Sequence, residues 1–192
     1  MTLSELVRLN RSYRSFDESR KITRDELLDM ISCARLVPSA SNRQPLKYFL
    51  SADAETNAKI QPLTAWAAKI RPEYSLPPEG HRPTAFIVVC VDTRLAPDPE
   101  RAGKDVGIAA QTILLRAVEM GLGGCMIGAF RPELKQALPL PEPLVPTLVI
   151  ALGKPDERII LEDAAGSADY YRDENGTHHV PKRTTEEIVV GA

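Results

Sequence analysis

A chain of 192 residues, 43% hydrophobic and 26% charged, has room for one domain with a sizeable core or at most a small pair. Its 24 basic and 26 acidic residues leave a net charge of −2, which offers no field of the kind that holds nucleic acid or an anionic membrane. The longest apolar run, AFIVVCV (85–91), is far too short to span a bilayer, and charges interrupt the apolar N-terminus. With no signal-peptide core and three scattered cysteines, Cys33, Cys90 and Cys125, the expectation is a cytoplasmic protein with buried free thiols.

In chain order, Thr2 with Glu5 and Thr23 with Glu26 form capping boxes, predicting helices to about Leu9 and about Leu36. Pro38 ends the second. LKYFLS (46–51) reads as a short strand, and residues 55–70 as a helix with Ile60, Leu63, Trp66, Ala67 and Ile70 near helical spacing. The proline-rich stretch 71–83 suits either a loop covering a site or an ordinary crossover. TAFIVVCV (84–91) is a buried strand. Residues 105–120 form the strongest helix, with Asp105, Thr112, Arg116 and Glu119 on one polar stripe. Such a helix is buried on several sides, in the core or against a second subunit, and Gln111, off the stripe, needs a buried partner. GLGG (121–124) caps it, CMIGAF and TLVIALG (147–153) follow as strands, and KPDE makes a turn. From about 157 the tail is polar and irregular until VPKRTTEEIVV. The irregular mixture of helices and strands points to a single α+β domain.

Four segments carry candidate chemistry. In NRSYRSF, Arg11, Ser12 and Arg14 could grip a phosphate through charge-assisted bonds, or form a solvated basic turn. PSASNRQP (38–45) is either a polar connector or a set of groups aimed at a ligand. Lys182 and Arg183 form a second basic pair, and the glycines of GLGGCMIG let backbone approach a flat ligand or merely cap a helix. No Rossmann, Walker or nucleophile-elbow spacing is present. His178 and His179 are adjacent, so a strand would point them to opposite faces, and no metal site is expected.

Taken in order, NRSYRSFD, ARLVPSASNRQP, GIAAQTILLRAVEMGLGGCMIG, LVIALGKPDE and VPKRTTEEIV resemble the nitroreductase family of FMN-dependent oxidoreductases, over nearly the whole chain. The resemblance implies an α+β fold with a central mixed, mostly antiparallel sheet flanked by helices. It further implies one FMN-binding domain over 1–192 and an intertwined homodimer, with the tail from about 157 wrapping the partner. It places Arg11, Ser12 and Arg14 on one side of FMN, and Pro38, Ser39, Ala40, Ser41, Asn42 and Gln44 of the other subunit at the flavin ring. Gly124, Ile127 and Gly128 fall near the flavin, and Lys182 or Arg183 at its phosphate. The activity implied is ping-pong transfer from NADH or NADPH through flavin N5 to a small nitroaromatic- or quinone-like acceptor, with no side-chain acid or base. The alternatives are a specialised member, such as a reductive dehalogenase or a flavin-cleaving enzyme, or a flavin-binding module without turnover. Asn10 departs from the pattern, where a basic residue often precedes the serine motif, as does Leu46, where an aromatic is common.

Overall fold

The computed structural model describes residues 1–67 and 74–191. In chain order these form α1 (Leu3–Leu9), β1 (Phe16–Asp17), α2 (Arg24–Ala34), β2 (Leu46–Ser51), α3 (Ala54–Ile60), β3 (Ala85–Asp92) and α4 (Gly103–Glu119). There follow β4 (Gly123–Ile127), α5 (Leu134–Ala137), β5 (Leu144–Pro155), β6 (Ile159–Asp163), β7 (Tyr171–Arg172), β8 (His178–Lys182) and α6 (Thr185–Ile188). Both predicted capping boxes are present, Thr2 with Glu5 and Thr23 with Glu26.

The main sheet runs β1–β5–β3–β2, with β4 also on β5, and its named ladders are antiparallel. All eight residues of β3 are buried, because both sheet faces are covered. Side chains alternate along the strand. Ile87, Val89 and Val91 therefore join Leu27 and Met30 of α2 and Ala109, Ile113 and Ala117 of α4. Phe86, Val88 and Cys90 join Phe16, Ile60, Trp66, Ile127 and Leu134 on the opposite face. This is an α+β fold in which two helices lie on one face of the main sheet and shorter segments on the other.

Four details differ from the sequence reading. The helix expected over 55–70 ends at Ile60, followed by a tight 3-10 turn at Gln61–Leu63. Pro62 cannot donate to a helix, and Thr64 turns extended to pair with Phe130. Residues 68–70 of that expected helix, and 71–73 of the proline-rich stretch, lie outside the described residues. The turn expected at KPDE is instead the end of β5, which runs to Pro155 because it pairs there with Phe16.

The tail is not irregular: β6 lies parallel to β8, and β7 antiparallel to it, in a second sheet. That sheet is tied to its own chain by the ion pair of Arg172 with Glu157 (2.6 Å) and by His178 against Arg14. Finally, Gln111 is exposed rather than buried, and its amide oxygen accepts from Asn10 Nδ2 (3.2 Å). Among the described residues no helix is long and apolar enough to cross a membrane, and no group of three or more His, Cys, Asp or Glu could hold a metal ion.

Candidate active site

Asn10 ends α1 in an extended conformation, and the backbone then runs beside β4. Ser12 bridges Gly124, and Tyr13 N–H donates to Gly124 O at 3.0 Å. The segment Leu63–Ala65 pairs with Ala129 and Arg131 on the far side, bringing Ala65–Ala67 beside Gly128–Ala129. Between them opens a cleft of about 260 Å³, lined by Arg14, Trp66, Cys125, Ile127, Gly128 and Tyr170 among others.

Arg14 is held from several directions. Its backbone N–H donates to Glu157, and one guanidinium nitrogen donates to Ser12 O (3.1 Å) and lies 3.3 Å from His178 Nε2. The guanidinium sits over the Tyr170 ring, 5.3 Å from its centroid. Its Nε is buried without a partner among the described residues, as is that of Arg11, whose terminal nitrogen donates to Val7 O at 2.6 Å. Burial pushes the Glu157 carboxyl up from its ordinary value, opposed by the Arg14 N–H and the Arg172 guanidinium.

The glycines divide by role. A Cβ on Gly124 would stand 2.4 Å from Ala151 O, so packing against β5 requires that glycine. On Gly128 a Cβ would meet nothing within 4 Å, which leaves open backbone at the cleft wall. Cys90 and Cys125 offer no nucleophile, since burial pushes the Cys90 thiol up to about 12 and raises that of Cys125; Cys33, expected to be buried, is half-buried.

The PSASNRQP loop lies apart from this cleft within one chain, sharing no lining residue with it. Ala40 N–H donates to the buried carboxylate of Asp105 (3.2 Å), which fixes the loop to the start of α4. Ser39 Oγ accepts from Gln44 N–H (3.0 Å), and Gln44 Nε2 donates to Asn42 Oδ1 (3.1 Å). Ser41, Asn42 and Gln44 all hold φ near +50° and are exposed. Non-glycine residues in that region cost on the order of 1 kcal/mol each, a strain that concentrates where ligands bind. Pro38 is exposed at the loop's start.

Lys182 and Arg183 are exposed at the far end of β8, Arg183 lying 3.8 Å from Glu187, and neither lines the cleft. A larger hollow of about 610 Å³ shares Trp66 as a wall but contains none of the sequence-predicted site residues. Of those residues, Arg14, Ile127 and Gly128 thus meet in one cleft, with Ser12 and Gly124 behind it. Trp66, Tyr170, His178 and Glu157 were not among the expected site residues. Only a tail strand brings His178 to Arg14, and no local spacing signals that contact.

The Nitroreductase family model matches residues 7–154. The chain belongs to the nitroreductase family. A protein of Methanothermobacter thermautotrophicus, provisionally named NADH dehydrogenase/NAD(P)H nitroreductase, is 30% identical over 163 residues, covering 82% of this chain and 79% of its own. The NADPH:FMN oxidoreductase of Vibrio harveyi, solved with NAD+, has a TM-score of 0.62 and 26% identity, over 80% of this chain and 69% of its own. A nitroreductase family protein of Streptococcus pneumoniae TIGR4 shares the fold over 100% of both chains, with a TM-score of 0.68 and 18% identity. Nitroreductase family membership makes this an oxidoreductase fold, and the family match stops at β5, leaving the tail sheet beyond it.

Proposed function

We propose that the chain is an FMN-dependent NAD(P)H oxidoreductase that reduces a small nitroaromatic- or quinone-like acceptor, working as a homodimer with interfacial sites. One observation carries this reading: an arginine whose buried Nε has no partner among the described residues borders a cleft whose wall at Gly128 is bare backbone. A flat, anionic, hydrogen-bond-accepting ligand fits that combination. The Vibrio harveyi relative, named for NADPH and FMN, supports the same choice.

In this reading Arg11 and Ser12 hold the phosphate and ribityl chain, with Lys182 or Arg183 joining at the phosphate. Gly128 and Ile127 face the ring, and the strained loop from Pro38 to Gln44 reaches it from the second subunit. When bound, FMN supplies two-electron exchange between NAD(P)H and the acceptor. Arg14 provides a fixed positive charge where the site takes up negative charge, in surroundings where that charge is weakly screened. Trp66 and Tyr170 limit water at the cleft. The side chains bind, orient and stabilise charge, and none is needed as a proton donor or acceptor.

The dimer reading rests on uncovered apolar surface. Helix α1 buries no residue and leaves Leu3 and Val7 exposed, and Ile108 of α4 is also exposed. At the C-terminus Ile188, Val189 and Val190 are exposed as well, which suits a tail end that packs on a neighbour.

The deciding experiment is the visible spectrum of the purified protein before and after anaerobic NAD(P)H. A flavin spectrum that bleaches supports the oxidoreductase, and an acceptor panel then separates nitroaromatics and quinones from halogenated substrates. A flavin that does not bleach makes the protein a binding module. A colourless protein that takes up no added FMN overturns the reading.

A further inference from the structure

The family match ends at residue 154, yet the side chains holding Arg14 come from beyond it. Arg14 sits against Tyr170 and His178, whose rings are themselves in tilted contact, with centroids 5.2 Å apart. Tyr170 also lines the cleft, whereas His178 lies behind Arg14 and is almost fully buried.

We propose that His178 and Tyr170 are positioning residues for Arg14. His178 acts as the neutral Nδ1–H tautomer that accepts from the guanidinium at Nε2, and Tyr170 supports the guanidinium through its ring face. The assignment rests on the reading of the cleft as the flavin site.

The tautomer follows from chemistry. A guanidinium has only donors, so the nitrogen 3.3 Å from it must be the unprotonated one. The ring proton then lies on Nδ1, which is buried with no acceptor among the described residues. A charged imidazolium is disfavoured there, because burial and the nearby cations Arg14 and Arg172 bring the His178 pKa down to about 4. His179, on the opposite face of β8, is engaged elsewhere, with Glu162 and Asp173. The guanidinium is a rigid plane, so fixing one terminal nitrogen and one face orients the remaining donors. Those donors include the unpartnered Nε. The tail therefore does from within the chain what would otherwise cost a long side chain its rotamer freedom on ligand binding.

The test uses the full-length protein. A long-range ¹H–¹⁵N correlation spectrum near neutral pH should show His178 with its proton on Nδ1; a proton on Nε2 overturns the assignment whether or not flavin binds. FMN affinity and the reduction potential of bound FMN are then compared in wild type, H178L, H178Q and Y170L. H178L should bind FMN roughly tenfold more weakly, as expected for losing a hydrogen bond to a charged group. Its bound flavin should have a more negative potential, since the cation is less well placed. H178Q, whose amide oxygen can accept, should recover most of both. Equal losses in H178L and H178Q would mean a purely structural role and overturn the proposal, as would wild-type values in H178L. If H178L does not fold, Y170L carries the test, and an unchanged affinity and potential in it count against the proposal. Wild-type protein that binds no FMN is a failure of the functional reading itself.

Discussion

Arg14 combines half-burial, a cleft position and an Nε with no partner among the described residues. Hydrogen bonds from charged donors are worth about 1.5–3 kcal/mol. R14A should therefore weaken FMN binding by roughly ten- to a hundredfold, or slow flavin reduction by NAD(P)H to a similar degree. Fluorescence titration and anaerobic stopped flow check the two arms, and wild-type values in both would remove Arg14 from the site. His178 makes a separate, cofactor-independent prediction. Its pKa is brought from an ordinary value near 6.5 to about 4 in the folded chain. Between those values the unfolded chain binds the extra proton, so the contribution is present above about pH 6.5 and lost as pH falls toward 4. The urea midpoint should fall between pH 7 and pH 4.5 more steeply in wild type than in H178Q. Parallel slopes would mean that His178 is not held neutral by its surroundings.

Elements whose determinants are local were legible in the sequence, and those that depend on distant partners were not. The two capping boxes and the apolar run of β3 needed only neighbouring residues or a continuous apolar stretch, and both appear where expected. The tail sheet did not, because β6 finds its parallel partner β8 across fourteen intervening residues of mixed polarity. The strain in the PSASNRQP loop was invisible for a different reason. Ser41 and Gln44 adopt a positive φ that no glycine announces, over-determined by Asp105, Ser39 and Asn42. Of the candidate site, Arg14, Ile127 and Gly128 could be named from motif order, whereas Tyr170 and His178 arrive through tertiary pairing alone. The loop's anchor is testable at this scale. Removing the Asp105 carboxylate in D105A deprives Ala40 N–H of its charged acceptor, a loss of about 1.5–3 kcal/mol. Hydrogen exchange should speed up about ten- to a hundredfold at Ala40 and its neighbours, while the amides in the middle of α4 keep their protection. Unchanged exchange in the loop would show that Asp105 does not hold it.

For the molecule as a whole, the two halves of the proposed site lie on separate parts of one chain, and this makes assembly the central quantity. The cleft at Arg14 and the strained loop at Asn42 share no lining residue within one chain, and in the homodimer we propose a second copy brings that loop to the ligand. The uncovered apolar face of α1 and α4 is the surface on which that copy would sit. Ile108, 42% exposed, can be changed there without opening the core. A glutamate in its place costs the folded monomer little, within about 0.5 kcal/mol for an exposed site. Buried against a second copy, the same carboxylate loses its hydration with no partner, at a cost of several kcal/mol. I108E should therefore weaken dimerisation by about a hundredfold or more, read by sedimentation velocity over a dilution series, while circular dichroism and Tm stay near wild type. If the site is shared between protomers, FMN is released in parallel with dissociation, and the flavin's fluorescence rises at the same protein concentration at which the sedimenting species halves in mass. A monomeric I108E that retains FMN tightly would confine the site to one chain, and an I108E that remains dimeric would place the interface on another face.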